Sequence, residues 1–299
     1  MDTEKQTYLY HFMPIHKFMD FILSKALILT SLSYMEDPFD GISSKDAQTL
    51  RSLNLRQYIF DQDEFFKRVT FKSPDVINVL NNINLFRNRS LCCCFYYPQQ
   101  SEESIAMWKL YSKKDSVALK IPKKEFENFI KEFENFINDK QFKHYSVLEN
   151  GDNALKQDDP NFIIRKIEYK DFFKDIVYNF IPQGFIKHSD YSYENEYRLL
   201  MINDEKEIKE QEEKTKEDLG TDQNSYKNIE YMSNPKIYKI VLSPDILSKS
   251  FIVASPFIEM WKLNNIKLLI KRMKVDIEFK FPLSLPKVII SCLFTCNLL

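Results

Sequence analysis

The strongest constellation of ionisable residues is Glu194-Asn195-Glu196-Tyr197-Arg198. On a strand, side chains alternate with period two, so Glu194, Glu196 and Arg198 would share one face. Two acids and a base on one face are costly to bury unless they are paired or used. The structural reading is an edge-strand charge ladder in which Glu194 or Glu196 pairs with Arg198. The chemical reading is a carboxylate pair, one acid stabilising developing positive charge and the other acting as a base.

The other candidates carry less. Trp108 and Tyr111 lie three apart on one helix face, beside Met107, as a core stripe or a ligand platform. Glu36, Asp37 and Asp40 could hold a cation or a substrate hydroxyl, but Asp37-Pro38 and Asp40-Gly41 read first as turn chemistry. His16, His144 and His188 are scattered, no pair has metal-ligand spacing, and no metal is expected. Cys92, Cys93 and Cys94 sit in an apolar run with no flanking base, so burial is expected rather than nucleophilic use. A nuclease would need clustered acids plus a lysine, met only loosely by Asp37, Asp40, Glu194 and Glu196.

Composition bounds what can position these groups. The chain has 299 residues, 44% of them apolar, enough for a substantial core. With 42 basic and 43 acidic residues there is no global positive field to recruit nucleic acid. The four glycines, Gly41, Gly151, Gly184 and Gly220, lie too far apart for a phosphate-cradling glycine loop. Five cysteines, three of them adjacent, fit a reducing cytoplasm better than a disulfide framework. The polar start Met1–Gln6 has no signal-peptide pattern. The apolar end, 288–299, is shorter than the ~20 residues of a spanning helix, so no membrane partner is expected.

Patterning predicts a strand at Tyr8–Phe12, a helix after Pro14, and strands at Leu27–Leu32, Leu91–Tyr97, Ser116–Ile121, Phe142–Leu148, Tyr197–Ile202 and Ile237–Leu242. Helices are expected over 45–87, with a start at Ser73-Pro74, over Ser101–Tyr111, over 160–181, and from Ser255-Pro256 to about Lys274; 275–292 reads as strand-rich. Residues 124–137 repeat KEFENFI twice, which puts Phe126, Phe129, Ile130, Phe133, Phe136 and Ile137 on one stripe of a helix packed against the core. Residues 204–228 are too polar to offset ordering entropy and are expected to form a mobile, dispensable insertion. The interleaving lacks a βαβ repeat, so the expected fold is one α+β domain over 1–299, a mixed sheet core with flanking helices.

Four segments carry a family resemblance. They are YLYHFMPIHKFMDFILSKALILTSLSYMEDPFD (8–40), CFYYPQQSEESIAMWKLYS (94–112), FIKHSDYSYENEYRLLM (185–201) and IYKIVLSP (237–244). Together they resemble a bacterial family catalogued as domain of unknown function twenty-nine seventy-one, near the AbiGi group of abortive phage resistance. Departures from the family pattern are Glu36 for an Asn, Tyr96 for a Ser, and Ser243 for a Gly. A more distant resemblance is to ADP-ribosyltransferases, which implies an NAD-consuming, cytoplasmic toxin or phage-defence effector with a macromolecular acceptor or defence-system partner. That resemblance assigns the catalytic role to Glu196, with Glu194 as the acceptor base. It assigns NAD contacts to Tyr10 or His11, Trp108, Tyr111 and Arg198, with nicotinamide stacked on Tyr111 or Tyr96. The rival expectation is a non-catalytic regulatory or binding protein of a phage-defence cassette.

Overall fold

The computed structural model describes residues 6–37, 39–52, 74–98, 104–111, 115–138, 161–172, 174–175, 181–202 and 238–280. Their strands are β1 (Tyr8–Pro14), β2 (Ala26–Ser31), β3 (Ser90–Tyr96), β4 (Ser116–Pro122), β5 (Asn161–Lys166), β6 (Glu168–Lys170), β7 (Ile186–His188), β8 (Glu196–Ile202), β9 (Tyr238–Val241), β10 (Phe251–Ala254) and β11 (Glu278–Lys280). The helices are α1 (Ile15–Ser24), α2 (Ser44–Ser52), α3 (Pro74–Arg89), α4 (Ile105–Tyr111), α5 (Lys123–Asn138), α6 (Pro244–Lys249) and α7 (Met260–Arg272). This is an α+β fold with a mixed nine-stranded sheet, because β10 and β11 run parallel while the other pairs in that sheet are antiparallel. Among the described residues no helix is long and apolar enough to cross a membrane.

The sheet forks at β3. One edge of β3 pairs with β8 from Ser90↔Ile202 to Tyr96↔Glu196. The other edge is shared: β1 meets it at Tyr10↔Tyr96, and β2 meets it at Thr30↔Cys92 and Ser31↔Leu91. Cross-strand partners lie on the same face. The register therefore sorts the sheet into two sides. One side carries Leu9, Phe95, Leu119, Tyr197 and Leu199, and is covered by Phe18 and Ile22 of α1, Phe126 and Ile130 of α5, and Ile266 of α7. The other side carries Tyr10, Tyr96, Glu196, Arg198 and Leu200. It is covered by Trp108 of α4 at one end and by Phe86, Phe185 and Ile181 at the other. The charged residues lie between these two apolar clusters.

Local chemistry explains the element ends. Pro14, with φ −67° and ψ 159°, leads into α1, where its missing N–H costs nothing. Lys25 ends that helix in the left-handed region at φ 55°, donating its N–H to the Phe21 carbonyl at 2.6 Å. Ser243 caps α6 by accepting from the Ile246 N–H at 3.3 Å, with Pro244 in the first turn. The duplicated heptads form α5, with Phe126 and Ile130 fully buried and Phe129 and Phe133 packed at the margin. Each such buried side chain contributes about 1.5–3 kcal/mol.

Several expectations need correction. The predicted helix over 160–181 is replaced by β5 and β6, because Phe162–Ile164 pairs with Met201–Leu199 of β8. Tertiary pairing overrides a helical apolar spacing there. Ser116–Ile121 is the strand expected, and β4 is buried throughout because both faces of the sheet are covered. Ser255-Pro256 makes a turn, Ser255 accepting from the Phe257 N–H at 3.2 Å, and α7 starts only at Met260. The strand at Phe142–Leu148, the insertion at 204–228, and Cys292 and Cys296 lie outside the described residues.

Candidate functional site

β8 is a central strand, with β3 on one side and β5 on the other, so the charge-ladder reading of an exposed edge does not hold. Arg198 is fully enclosed. Its Nη1 and Nη2 donate to both oxygens of Asp40 at 2.7 and 2.8 Å, its Nε donates to Glu196 Oε1 at 2.7 Å, and Nη1 also donates to the Gly184 carbonyl at 2.7 Å. Lys187 of β7 donates to Glu194 Oε2 at 2.7 Å and Glu196 Oε2 at 3.0 Å, and stands 3.8 Å from Asp40 Oδ2. Three buried carboxylates thus face two buried cations. Such a cluster is tolerable only because nearly every charged atom has a partner.

Glu194 and Glu196 occupy different local structures. Glu196 opens β8, whereas Glu194 ends a short 3-10 helix, Ser189–Glu194. Asn195 between them is left-handed, at φ 41° and ψ 47°. The two acids therefore converge on Lys187 through this turn and not through strand alternation. Asn is one of the few residues that accepts this conformation cheaply. The Glu196 N–H donates to the phenol of Tyr169 at 2.8 Å.

The electrostatics separate the acids. Burial opposes ionisation of Glu196, but Arg198 and Lys187 outweigh it and hold the carboxyl well below the usual range. Burial dominates at Glu194, whose pKa is raised despite Lys187 and the Tyr111 hydrogen bond. Lys187 is likewise desolvated, yet Glu196 and Asp40 hold its ammonium firmly charged. Glu194 Oε1 accepts from the Tyr111 hydroxyl at 2.5 Å, and Tyr111 is 47% exposed, so this acid has a half-exposed phenol as its outward neighbour.

The loop before α2 supplies Asp40 and is fixed by Arg87 of α3. Arg87 donates to the carbonyls of Asp37 at 2.8 Å and Met35 at 2.7 Å. Asp37 Oδ1 accepts from the Phe39 N–H at 2.9 Å, while its Oδ2 is buried with no hydrogen-bond partner among the described residues. Burial, then Asp40, raises its pKa to about 6.

Of the sequence candidates, Tyr10, Trp108, Tyr111, Glu194, Glu196 and Arg198 come to the same side of the sheet. Tyr10 stands 6.3 Å from Tyr96, the strand partner of Glu196, and Trp108 packs edge-on to Phe12 at 4.8 Å. His11 does not join them. It lies on the opposite side against Phe95, its Nδ1 2.9 Å from the Cys94 carbonyl, and burial lowers its pKa. Trp108 is 1% exposed and belongs to the core. Cys92 and Cys93 are buried, and burial lifts the Cys93 thiol far above its usual range.

Sequence reasoning did not find Tyr169 or Arg87, and it met Lys187 only as the lysine of the third resembling segment, with no role assigned. The one local signal for Lys187 is a lysine directly after Phe185 and Ile186, both fully buried. Three of the four segments that carried the family resemblance meet here: Asp37 and Asp40 from the first, Cys94, Tyr96, Trp108 and Tyr111 from the second, Lys187 to Arg198 from the third; the fourth forms β9, paired with β2. Among the described residues, no group of three or more His, Cys, Asp or Glu side chains could hold a metal ion.

No curated protein and no solved structure matches the chain. Residues 107–199, which run from the face of α4 through Lys187, Glu194, Glu196 and Arg198, match the family described as "Protein of unknown function (DUF2971)", and the resemblance to that family holds over this segment.

Proposed function

We propose that the chain is an NAD-consuming, ADP-ribosyltransferase-like effector acting in the cytoplasm, of toxin or phage-defence type. The observation that carries the reading is the placement of Glu194 between a buried ammonium and the half-exposed Tyr111 phenol. In this reading a ribose hydroxyl of NAD replaces the Tyr111 phenol on Glu194. The bond from ribose C1′ to nicotinamide breaks, and its electron pair goes to the pyridinium nitrogen. The Glu194 carboxylate stabilises the oxocarbenium charge. Water or an acceptor nucleophile then adds at C1′ and releases its proton. Glu196 serves to set Lys187 and Arg198, since both its oxygens are spent on those two cations. The working acid thus shifts from Glu196 to Glu194. Tyr111 and Tyr96 are the aromatic faces proposed for nicotinamide.

The test is nicotinamide release from NAD by the purified full chain, followed by chromatography. Wild type releases nicotinamide, and Glu194→Gln reduces the rate at least about tenfold, as expected for loss of a charge-stabilising contact. Equal rates in wild type and Glu194→Gln would refute the assignment.

A second reading is favoured by one observation: Asp37, Asp40, Glu194 and Glu196 do converge, and with a lysine, Lys187, as a nuclease would require. Against it, Arg198 and Lys187 fill the space a divalent cation would take between Asp40 and Glu196. Divalent-metal-dependent cleavage of plasmid DNA or RNA by the same preparations would select this reading. Absence of either activity, with both carboxamide variants merely less stable, would select the non-catalytic defence-partner role.

A further inference from the structure

Asp37 carries a charge that the fold does not use. Its Oδ1 accepts from the Phe39 N–H at 2.9 Å, a contact that an asparagine or a serine makes as well. Its Oδ2 is buried with no hydrogen-bond partner among the described residues. Arg87 lies beside it, yet donates to the carbonyls of Asp37, Met35 and Ser33 and not to the carboxylate. The other buried acids are engaged. Asp40 holds Arg198, Glu196 holds Arg198 and Lys187, and Glu194 holds Lys187 and Tyr111. Asp46 accepts from Ser43 and Asn82. A buried polar atom left without a partner is unfavourable and calls for a use outside the fold.

The cluster is also unbalanced in charge. Asp37, Asp40, Glu194 and Glu196 are four acids, Arg87, Lys187 and Arg198 are three cations, and all seven are buried. The negative charge left over falls to the acid with the free oxygen. Lys120, the other buried cation among the described residues, lies on β4 over the rings of Tyr8 and Tyr10. Asp37 is surrounded by Asp40 of its own loop, Arg87 of α3, Lys187 of β7 and Tyr191 of the 3-10 helix. Of these only Tyr191 is partly exposed, and its ring centre stands 5.3 Å from Lys187 Nζ. An aromatic face beside an unbalanced carboxylate suits an organic cation. One free oxygen serves one hydrogen bond, whereas a hard divalent metal takes about six oxygens. With a pKa of about 6, Asp37 is ionised above neutral pH.

We propose that Asp37 is a ligand-contacting acid, and that its free Oδ2 accepts a hydrogen bond from a positively charged aromatic group of the ligand. In the reading above that group is the nicotinamide ring of NAD, whose carboxamide supplies the N–H. The choice of ring rests on that reading; the unused charge does not. Asp37 is then an affinity determinant, retained although it lowers stability. Because nicotinamide leaves as a neutral molecule, the attraction ends when the bond to ribose breaks.

The experiment is titration calorimetry of 1-methylnicotinamide, a pyridinium cation with no ribosyl bond to break, and of neutral nicotinamide. Both are added at pH 7.5 to the full chain as wild type, Asp37→Asn and Asp37→Ser, and the melting temperature of each protein is measured. Wild type should bind the cation saturably and at least about tenfold more tightly than nicotinamide, as one charge-assisted contact implies. Asp37→Asn should lose that preference, with nicotinamide binding little changed and a melting temperature no lower than wild type. A structural role for Asp37 would move both ligands alike. If Asp37→Asn fails to fold, Asp37→Ser carries the comparison. Absence of saturable binding of the cation, absence of preference for it, or a preference undiminished in the folded variant overturns the proposal. Preference lost in the variant, in a protein that releases no nicotinamide from NAD, supports the role of Asp37 and removes NAD as the ligand. Nicotinamide release by a protein whose Asp37→Asn variant binds the cation as wild type does keeps the transferase reading and overturns this one.

Discussion

Replacing Asp37 by Asn should make the protein more stable at neutral pH, although Asp37 lies beside two cations. The carboxyl is 5% exposed, one of its oxygens is buried without a partner, and its pKa is raised from 3.8 to about 6. Between those two values the folded chain binds more protons than the unfolded chain. Stability therefore falls as pH rises through that window and is flat above it. A shift of that size corresponds to about 3 kcal/mol of destabilisation at pH 7. Asn keeps the acceptor for the Phe39 N–H and carries no charge. It still buries an amide and forgoes the attraction of Arg87 and Lys187, so a gain of about 1–2 kcal/mol is expected. In a chain of this size that is about 2–6 °C in melting temperature. Glu194, also raised, slopes in the same direction, while the depressed Glu196 contributes stability that is lost only as pH falls below the ordinary glutamate range. Thermal melts of wild type and Asp37→Asn from pH 4 to 8 test this. The two curves should coincide near pH 4 and separate by pH 6.5. A variant that is less stable than wild type at pH 7, or a difference independent of pH, would refute the reasoning.

Arg198→Met leaves Asp40 and Glu196 buried with Lys187 as their one remaining cation among the described residues and should cost about 3–5 kcal/mol, seen as a fall in the denaturant midpoint with the slope unchanged. Gly184→Ala should destabilise by about 1–3 kcal/mol in the same assay, because Gly184 sits at φ 83° and an added Cβ would meet Leu200 and Phe86 at 3.0 Å. The Gly184 carbonyl also anchors Arg198, so this variant should lower any turnover per folded molecule as well.

How much of this was legible beforehand differs from residue to residue. Alternation along β8 put Glu196 and Arg198 on one side of the sheet, and local pattern is sufficient for that. Glu194 reaches the same side, but through the left-handed turn at Asn195 and not through alternation, because the strand begins only at Glu196. Choosing Tyr10 over His11 needs to know which side of β1 meets α4 and which meets α1 and α5, and that is tertiary information. Residues 160–181 have apolar positions at helical spacing, and only the waiting edge of β8 makes a strand of 161–166. Lys187 gave no signal of periodicity at all; its burial follows from the three acids brought to it by the loop before α2, the 3-10 turn and β8. The heptads of α5, by contrast, carry their own apolar stripe and pack as their spacing requires.

The central claim is that Glu194 is the working acid while Glu196 builds the cluster around it. It is tested most directly by measuring melting temperature and NAD consumption on the same preparations of Glu194→Gln and Glu196→Gln. Glu194→Gln should melt within about 2 °C of wild type and lose turnover, because it removes one carboxylate of raised pKa with a half-exposed neighbour. Glu196→Gln should melt well below wild type, since Arg198 and Lys187 lose their shared anion. A Glu194→Gln protein that still consumes NAD at the wild-type rate would contradict the account.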